Sequence, residues 1–157
     1  MNELRPKTVI EFGTFEGGLT AYISDMAKIM GIEPRIISFD IDGPSTKFTE
    51  PIQGAEFQQL DVFHIWQYVT DMHDELRDLE HPIIVVDDVG VNTTELIRAL
   101  DVYLSPGDYF ISCHTTDEGS FAELAAWAEG SYLIDGYLCD IFGRNFIENP
   151  NGFLIKI

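Results

Sequence analysis

Apolar residues along this chain alternate between short continuous runs and stretches with helical spacing. The runs predict five strands, at Thr8–Phe12, Arg35–Asp40, Glu56–Leu60, Ile83–Asp88 and Tyr109–His114. The first, fourth and fifth runs are apolar on both faces, which is typical of strands buried inside a parallel sheet. Helical spacing separates the runs, so the elements follow a βαβα order. This order predicts an α/β protein with a doubly wound, mainly parallel sheet and right-handed crossovers.

The helical stretches carry start and stop signals. The first stripe is closed by Gly31, which is expected to be a left-handed C-cap. A second stripe, Ile65–Leu79, predicts one continuous helix. Asn92, with Glu95 three residues later, predicts a third helix that begins with a capping box. A fourth helix is expected to begin at Ser120 by the same signal.

The C-terminal part of the chain follows a different pattern. Strand-like pieces at Tyr132–Phe142 and Gly152–Ile157 flank the turn signal Glu148–Gly152. They predict an antiparallel pair at the edge of the sheet, which gives seven strands with an antiparallel C-terminal strand. At 157 residues, the chain 1–157 is expected to form a single domain with a sizeable core.

The excess of acidic residues argues against negatively charged binding partners. The chain has 27 acidic and 9 basic residues, a net charge of −18. Such a surface repels phosphate backbones and anionic lipids, so we expect neither nucleic acid nor membrane as a partner. The absence of a signal-peptide pattern, and two cysteines without metal-site spacing, favour the cytoplasm. A homo-oligomer remains open.

The segment that follows the first strand has the composition of a ligand-binding loop. Glu11 ends an apolar strand, and Gly13, Gly17 and Gly18 follow before helical spacing begins. This spacing fits neither the dinucleotide fingerprint nor the phosphate loop, so the loop suits an uncharged or cationic ligand, with Glu11 placed for an ammonium group. A side chain at Gly13 is expected to obstruct that ligand and leave the fold intact. The alternative is a glycine-rich turn without a ligand.

Acidic residues also end the second and third strands. Asp40 or Asp42 can accept hydrogen bonds from both hydroxyls of a ribose, and Asp61 with its apolar neighbour Val62 can flank an adenine. Each acid taken alone is an ordinary solvated strand end. Together with Glu11, they favour a nucleoside-containing cofactor.

The fourth and fifth strands end in side chains suited to catalysis. Asp87, Asp88 and His114 can hold a divalent ion, for which the oxygen ligands favour Mg²⁺ and the histidine also admits Mn²⁺ or Fe²⁺. Alternatively, His114 is a general base for a hydroxyl proton. A third possibility is that both aspartates cap the next turn and His114 is an ordinary loop residue.

Four segments resemble the cephalosporin hydroxylase and rhamnosyl O-methyltransferase group of class I methyltransferases. They are Val9–Gly18, Ile37–Asp42, Leu104–Tyr109 and Asn149–Ile157. The resemblance implies a Rossmann-like methyltransferase fold and S-adenosylmethionine as cofactor, often with Mg²⁺. It assigns the methionine end of the cofactor to Glu11, Gly13, Gly17 and Gly18. Thr14 and Phe15 of the same loop are also expected to bind the cofactor.

The same resemblance assigns the ribose to Asp40 or Asp42 and the first metal acid to Asp87. The later acidic pair of the group is replaced here by Cys113 and His114. We therefore expect a methyltransferase acting on an oxygen of a small polyhydroxylated metabolite, with Asp87 and His114 at the reactive centre. The alternatives are a cofactor-binding or degenerate domain without catalysis that acts as an interaction module and, more remotely, a dehydrogenase.

Overall fold

A single seven-stranded sheet organises the protein. The computed structural model describes residues 4–42, 51–113, 124, 126–134 and 152–157. The strands are β1 (Thr8–Phe12), β2 (Arg35–Asp40), β3 (Ala55–Gln59), β4 (Ile83–Asp87), β5 (Tyr109–Ser112), β6 (Tyr132–Ile134) and β7 (Gly152–Lys156), in the order β3-β2-β1-β4-β5-β7-β6. The first five strands pair in parallel, whereas β7 is antiparallel to β5 and β6. The fold class predicted from the sequence is confirmed.

The strand order places a switch point at the centre of the sheet. From β1 the chain continues to β2 and β3 on one side, and it returns to β4 on the other side of β1. Every residue of β1 and β4 is buried, as their continuous apolar runs predict. In open α/β sheets, ligands bind beyond the carboxyl ends of the strands that flank such a point. The fold therefore directs attention to the edge where β1 and β4 end.

The first two helical stripes differ in how well the sequence predicts them. Helix α1 (Gly18–Met30) ends as expected at Gly31, whose φ of 62° is left-handed and whose N–H bonds to carbonyls of the last turn. The stripe Ile65–Leu79 is instead divided by Met72 into α2 (Ile65–Asp71) and α3 (His73–Arg77). The apolar positions of both helices still face the core, because periodicity fixes the buried face but not the continuity of the backbone.

The predicted capping box of the third helix is wrong. Helix α4 (Thr93–Leu100) begins after Asn92, which has a left-handed φ of 59° and makes no side-chain cap. The amide of Asn92 donates instead to the carbonyl of Val62, and the carboxylate of Glu95 accepts from Trp66 at 3.0 Å. The side chains of Asn92 and Glu95, which would form a capping box, therefore bond instead to Val62 before α2 and to Trp66 in α2. The helix start expected at Ser120 lies outside the described residues.

Apolar side chains cover both faces of the sheet. The larger core lies on the face of α2, α3 and α4, where Phe12, Phe39 and Phe110 are fully buried. The smaller core lies beneath α1, where Ile23 packs against Val9 and neighbouring strand residues. Within the described part of the chain, every helix is too short or too polar to cross a membrane.

Candidate functional site

Glu11 is a fully buried carboxylate at the end of β1, on the face covered by α1. Its Oε2 atom accepts hydrogen bonds from the hydroxyls of Thr20 and Ser38, the latter at 2.5 Å. Its Oε1 atom is buried and has no hydrogen-bond partner among the described residues. Burial raises the pKa of Glu11 most, the two hydroxyls lower it, and the charges of Asp88 and Asp40 raise it further. A buried acceptor without a donor is rare and points to a missing ligand or water.

The loop after Glu11 is shaped by the strands on either side of it. Gly13 has a φ of 99°, and a Cβ built on it would lie 2.8 Å from the carbonyl oxygen of Asp88. A side chain at Gly13 would therefore collide with the backbone that follows β4. The expectation that it would leave the fold intact is wrong, since the close approach of two loops, and not a ligand, already requires glycine.

The rest of the loop is tied to β2 and leads into α1. The amides of Gly13 and Thr14 donate to the carbonyl of Phe39 at 2.8 and 3.1 Å. Phe15 has a left-handed φ of 47° and a side chain that is 76% exposed. Gly17 is left-handed at the N-cap of α1, whereas no atom of the described residues lies within 4 Å of the position that a Cβ on Gly18 would take. The amino end of α1 therefore has room for a ligand above Gly18.

Asp40 at the end of β2 anchors the same loop. Its Oδ2 atom accepts from the amide of Phe15 at 2.7 Å, and its Oδ1 atom accepts from the amide of Asp42 at 3.1 Å. Asp40 is half-buried, whereas Asp42 is exposed. The structure therefore joins the predicted ribose acid to the predicted methionine loop, and Asp42 lies further out.

After β3, the exposed apolar side chain is Phe63, whereas the sequence predicted Val62. Asp61 caps the short 3₁₀ turn Val62–His64 by accepting from the amide of Phe63 at 3.0 Å. Val62 is 6% exposed and packs in the larger core, so the structure turns it away from the surface where an adenine would lie. Phe63 is 67% exposed at that strand end and is the residue that the sequence analysis missed.

Asp87 at the end of β4 is fully buried and receives several donors. Its Oδ2 atom accepts from the hydroxyls of Thr93 and Ser112 at 2.5 and 3.4 Å, and its Oδ1 atom accepts from the amide of Val89 at 3.2 Å. As predicted, β4 and β5 are neighbours, with Asp87 beside Ser112. Asp87 thus joins both strand ends to the start of α4.

Two of the three residues of the predicted metal site, Asp87 and Asp88, lie in the described part of the chain. Asp88 follows Asp87 and is half-buried, whereas His114 lies outside the described residues. Among the described residues, no three histidine, cysteine, aspartate or glutamate side chains form a group able to hold a metal ion. Burial raises the pKa of the Cys113 thiol to about 12, so this neighbour of His114 is protonated at neutral pH and is a poor ligand or nucleophile.

One surface cavity lies away from this edge of the sheet. A cavity of about 610 Å³ lies at the opposite edge, beside Lys7, Lys28 and the C-cap Gly31. It contains none of the predicted site residues. The candidate site is therefore defined by its side chains: the buried carboxylates of Glu11 and Asp87, the loop between Glu11 and α1, and Asp40.

Comparison with known proteins gives structural matches alone. No protein-family model matches the chain, and no curated protein matches it. A structure of CmcI with Mg and S-adenosylmethionine superposes with a TM-score of 0.77 at 26% identity, over 99% of this chain and 67% of that one. A structure of CmcI with S-adenosylhomocysteine superposes with a TM-score of 0.76 at 25% identity, over 99% of this chain and 72% of that one.

A more distant match shares the fold. CalS11, a TDP-rhamnose 3′-O-methyltransferase, gives a TM-score of 0.60 at 14% identity, over 96% of this chain and 71% of that one. The chain spans about two thirds of the length of the CmcI structures that it matches. The strand order, the loop between β1 and α1 and these matches identify the chain as a class I S-adenosylmethionine-dependent methyltransferase that resembles the CmcI group.

Proposed function

We propose that this protein transfers a methyl group from S-adenosylmethionine to an oxygen of a small polyhydroxylated metabolite. The observation that carries the cofactor assignment is the buried Oε1 atom of Glu11, which receives no hydrogen bond from the described residues and lies at the switch point of the sheet. The α-ammonium of the methionine moiety is a cationic donor of the kind that this acceptor requires. CmcI, described with Mg and S-adenosylmethionine, supports the same assignment.

The remaining cofactor contacts follow the order of the strand ends. The loop from Gly13 to Gly18 holds the methionine end, and Asp40 takes the ribose hydroxyls with Asp42 as the alternative. Asp61 and Phe63 flank the adenine, with the exposed ring of Phe63 replacing Val62 in this role. An acid at each of three neighbouring strand ends fits a ligand with one ammonium and several hydroxyl groups.

The acceptor class rests on surface charge and on one relative. The net charge of −18 disfavours a polyanionic acceptor such as nucleic acid. CalS11, which has this fold, is described as a sugar O-methyltransferase, and this favours a polyhydroxylated acceptor. The alternative of a non-catalytic interaction module is not favoured by these neighbours.

The catalytic role of the chain is mainly to position the reactants. S-adenosylmethionine supplies an electrophilic methyl group on a positively charged sulfur. Orientation of the acceptor hydroxyl in line with that methyl group supplies much of the rate. We propose His114 as the base that removes the hydroxyl proton, with Asp87 as the second residue of the reactive centre. Asp87 and Asp88 would hold an Mg²⁺ ion, which would lower the pKa of the acceptor hydroxyl.

Calorimetry tests the cofactor directly. S-adenosylhomocysteine and NAD are titrated separately into the same preparation. We expect binding of S-adenosylhomocysteine and none of NAD, because the loop lacks the dinucleotide spacing. Binding of NAD alone would replace the proposal with a dehydrogenase, and binding of neither compound would favour the non-catalytic alternative.

A substitution at Gly18 tests ligand binding by the loop without the backbone collision expected at Gly13. Gly18→Ala adds a Cβ into open space on the first residue of α1, so the fold should be unchanged or slightly stabilised, by up to about 1 kcal/mol. The same Cβ should weaken S-adenosylhomocysteine binding if the methionine moiety covers Gly18. Calorimetry and thermal unfolding measure both effects, with Asp25→Ala on the exposed side of α1 as control. Wild-type affinity in Gly18→Ala would remove Gly18 from the site.

Asp40 and Asp42 can be separated by paired variants. Asp40→Ala should weaken adenosine binding by about 1.5–3 kcal/mol, the scale of hydrogen bonds to a charged group. Asp42→Ala keeps the amide that donates to Asp40 and should have a smaller effect. The ligand 2′,3′-dideoxyadenosine lacks both ribose hydroxyls and should bind wild type and Asp40→Ala equally. If only Asp42→Ala weakened adenosine binding, the ribose would be assigned to Asp42.

A further inference from the structure

Two hydroxyl groups converge on one oxygen of Glu11 from different elements. Thr20 lies in the first turn of α1, and Ser38 is the β2 residue directly beside Glu11 in the parallel register. Thr20, Ser38 and Glu11 are each 0% exposed. Both hydroxyls reach Oε2, and neither is bonded to Oε1. The contacts are therefore one-sided, although the carboxylate has two equivalent oxygens.

Hydrogen positions in this cluster follow from the single proton on each hydroxyl. Thr20 and Ser38 both donate to the Glu11 carboxylate, which can only accept when ionised. The 2.6 Å contact between Ser38 and Thr14 must then be donated by Thr14, because the Ser38 proton is already used. A chain of donors thus runs from the loop through Ser38 to Oε2, and none of these protons remains for Oε1.

We infer that Thr20 and Ser38 are positioning residues, whose hydroxyls fix Oε2 of Glu11 and leave Oε1 to receive the α-ammonium of the cofactor. This inference rests on the proposed function, because it specifies how the same site recognises the amino-acid part of S-adenosylmethionine. Because both hydroxyls hold Oε2, the carboxylate cannot rotate to bring Oε1 to either of them. Oε1 can then accept a hydrogen bond from a ligand.

The charges around Glu11 explain why both hydroxyls are needed. Asp40 at the end of β2 and Asp88 after β4 are the charged groups whose fields act on Glu11, and both disfavour its ionised form. Burial does the same. The two hydroxyl donors are the interactions that oppose these effects, and a ligand ammonium at Oε1 would add a third. Without Thr20 or Ser38, the carboxylate would be both less fixed and less able to stay ionised for a cation.

Two ligands that differ in the amino-acid group test this inference. S-adenosylhomocysteine carries the α-ammonium, whereas 5′-methylthioadenosine has the same nucleoside thioether without the amino-acid moiety. Thr20→Val removes the hydroxyl at nearly constant volume, and Ser38→Ala is the second variant should valine impair folding. Thr20→Ser restores the hydroxyl and is the matched control. Affinities are measured by calorimetry after circular dichroism has confirmed folding.

We expect Thr20→Val and Ser38→Ala to weaken S-adenosylhomocysteine about tenfold and to leave 5′-methylthioadenosine unchanged, with Thr20→Ser close to wild type. An equal loss for both ligands would overturn the inference, since it would indicate a general disturbance of the pocket. Unchanged affinity for S-adenosylhomocysteine in both variants would overturn it as well. If the wild type bound neither ligand, the proposed function itself would fail, and that result is distinguishable because it needs no variant.

Discussion

Glu11→Gln should weaken S-adenosylhomocysteine binding about 10- to 100-fold and should stabilise the protein without ligand. The glutamine carbonyl can replace Oε2 and keep the hydrogen bonds from Thr20 and Ser38. Its amide nitrogen then occupies the position of Oε1, where a donor cannot accept the ammonium of the cofactor. The same change removes a buried charge that has a free oxygen, so the unliganded protein loses a destabilising interaction.

The stability effect of Glu11 should depend on pH in a defined direction. Burial above all raises the pKa of Glu11 in the folded protein from its ordinary value of 4.5. A carboxyl whose pKa is raised by folding contributes most to stability when it is protonated in both states, below about pH 4.5. That contribution is lost as the pH rises through the folded pKa. Glu11→Gln should therefore resemble wild type near pH 4 and exceed its free energy of unfolding at pH 7.

Urea denaturation at pH 4 and pH 7, together with calorimetry at pH 7, measures both effects. Glu33→Gln is the matched control, because it makes the same substitution at an exposed position outside the proposed site. A variant that bound S-adenosylhomocysteine like wild type would remove Glu11 from the ammonium site. A variant less stable than wild type at pH 7 would contradict the expected stabilisation.

The location of this site was predictable from the sequence because it depends on topology. Apolar runs locate the strands, and the parallel order brings their carboxyl ends to one edge. Glu11, Asp40, Asp61 and Asp87 each end a run, so their common edge follows without any knowledge of side-chain contacts. The glycine spacing after Glu11 likewise marked the loop that leads into α1.

The contacts within the site depend on features that the sequence does not display. Thr20 reaches Glu11 because of the rotation and height of α1 above the sheet, and no periodicity specifies these. Gly13 is required by the backbone at Asp88, a residue distant in sequence that the sheet places beside it. Val62 is buried and Phe63 is exposed because the strand is followed by a 3₁₀ turn, and a change of one residue reverses which side chain is buried.

Asp87→Ala should lower the free energy of unfolding by about 3 kcal/mol, the largest stability effect expected at this edge of the sheet. The carboxylate accepts from Thr93 at the start of α4, from Ser112 at the end of β5 and from the amide of Val89. Thr93 and Ser112 are themselves buried, so their hydroxyls would lose this acceptor without gaining water. Alanine also leaves a cavity where the side chain was.

Urea denaturation compares Asp87→Ala with Asp88→Ala, the neighbouring and half-buried carboxylate. Asp88→Ala should cost less than about 1 kcal/mol, because a side chain closer to solvent leaves fewer buried groups unsatisfied. Equal losses in the two variants would contradict the assignment of Asp87 as the acceptor that joins β4, β5 and α4.

Asp87→Asn separates this structural role from the proposed reactive centre. Asparagine keeps an acceptor oxygen for Thr93 and Ser112 but places a donor opposite the amide of Val89, so part of the stability lost in Asp87→Ala should be retained. It removes the negative charge, which a metal ion or a protonated His114 would require. Methyl transfer, measured as S-adenosylhomocysteine released with a panel of polyhydroxylated acceptors, should then fall by about 100-fold or more. Wild-type activity in a stable Asp87→Asn protein would confine Asp87 to the structural role, since the geometry of the strand ends would persist without its charge.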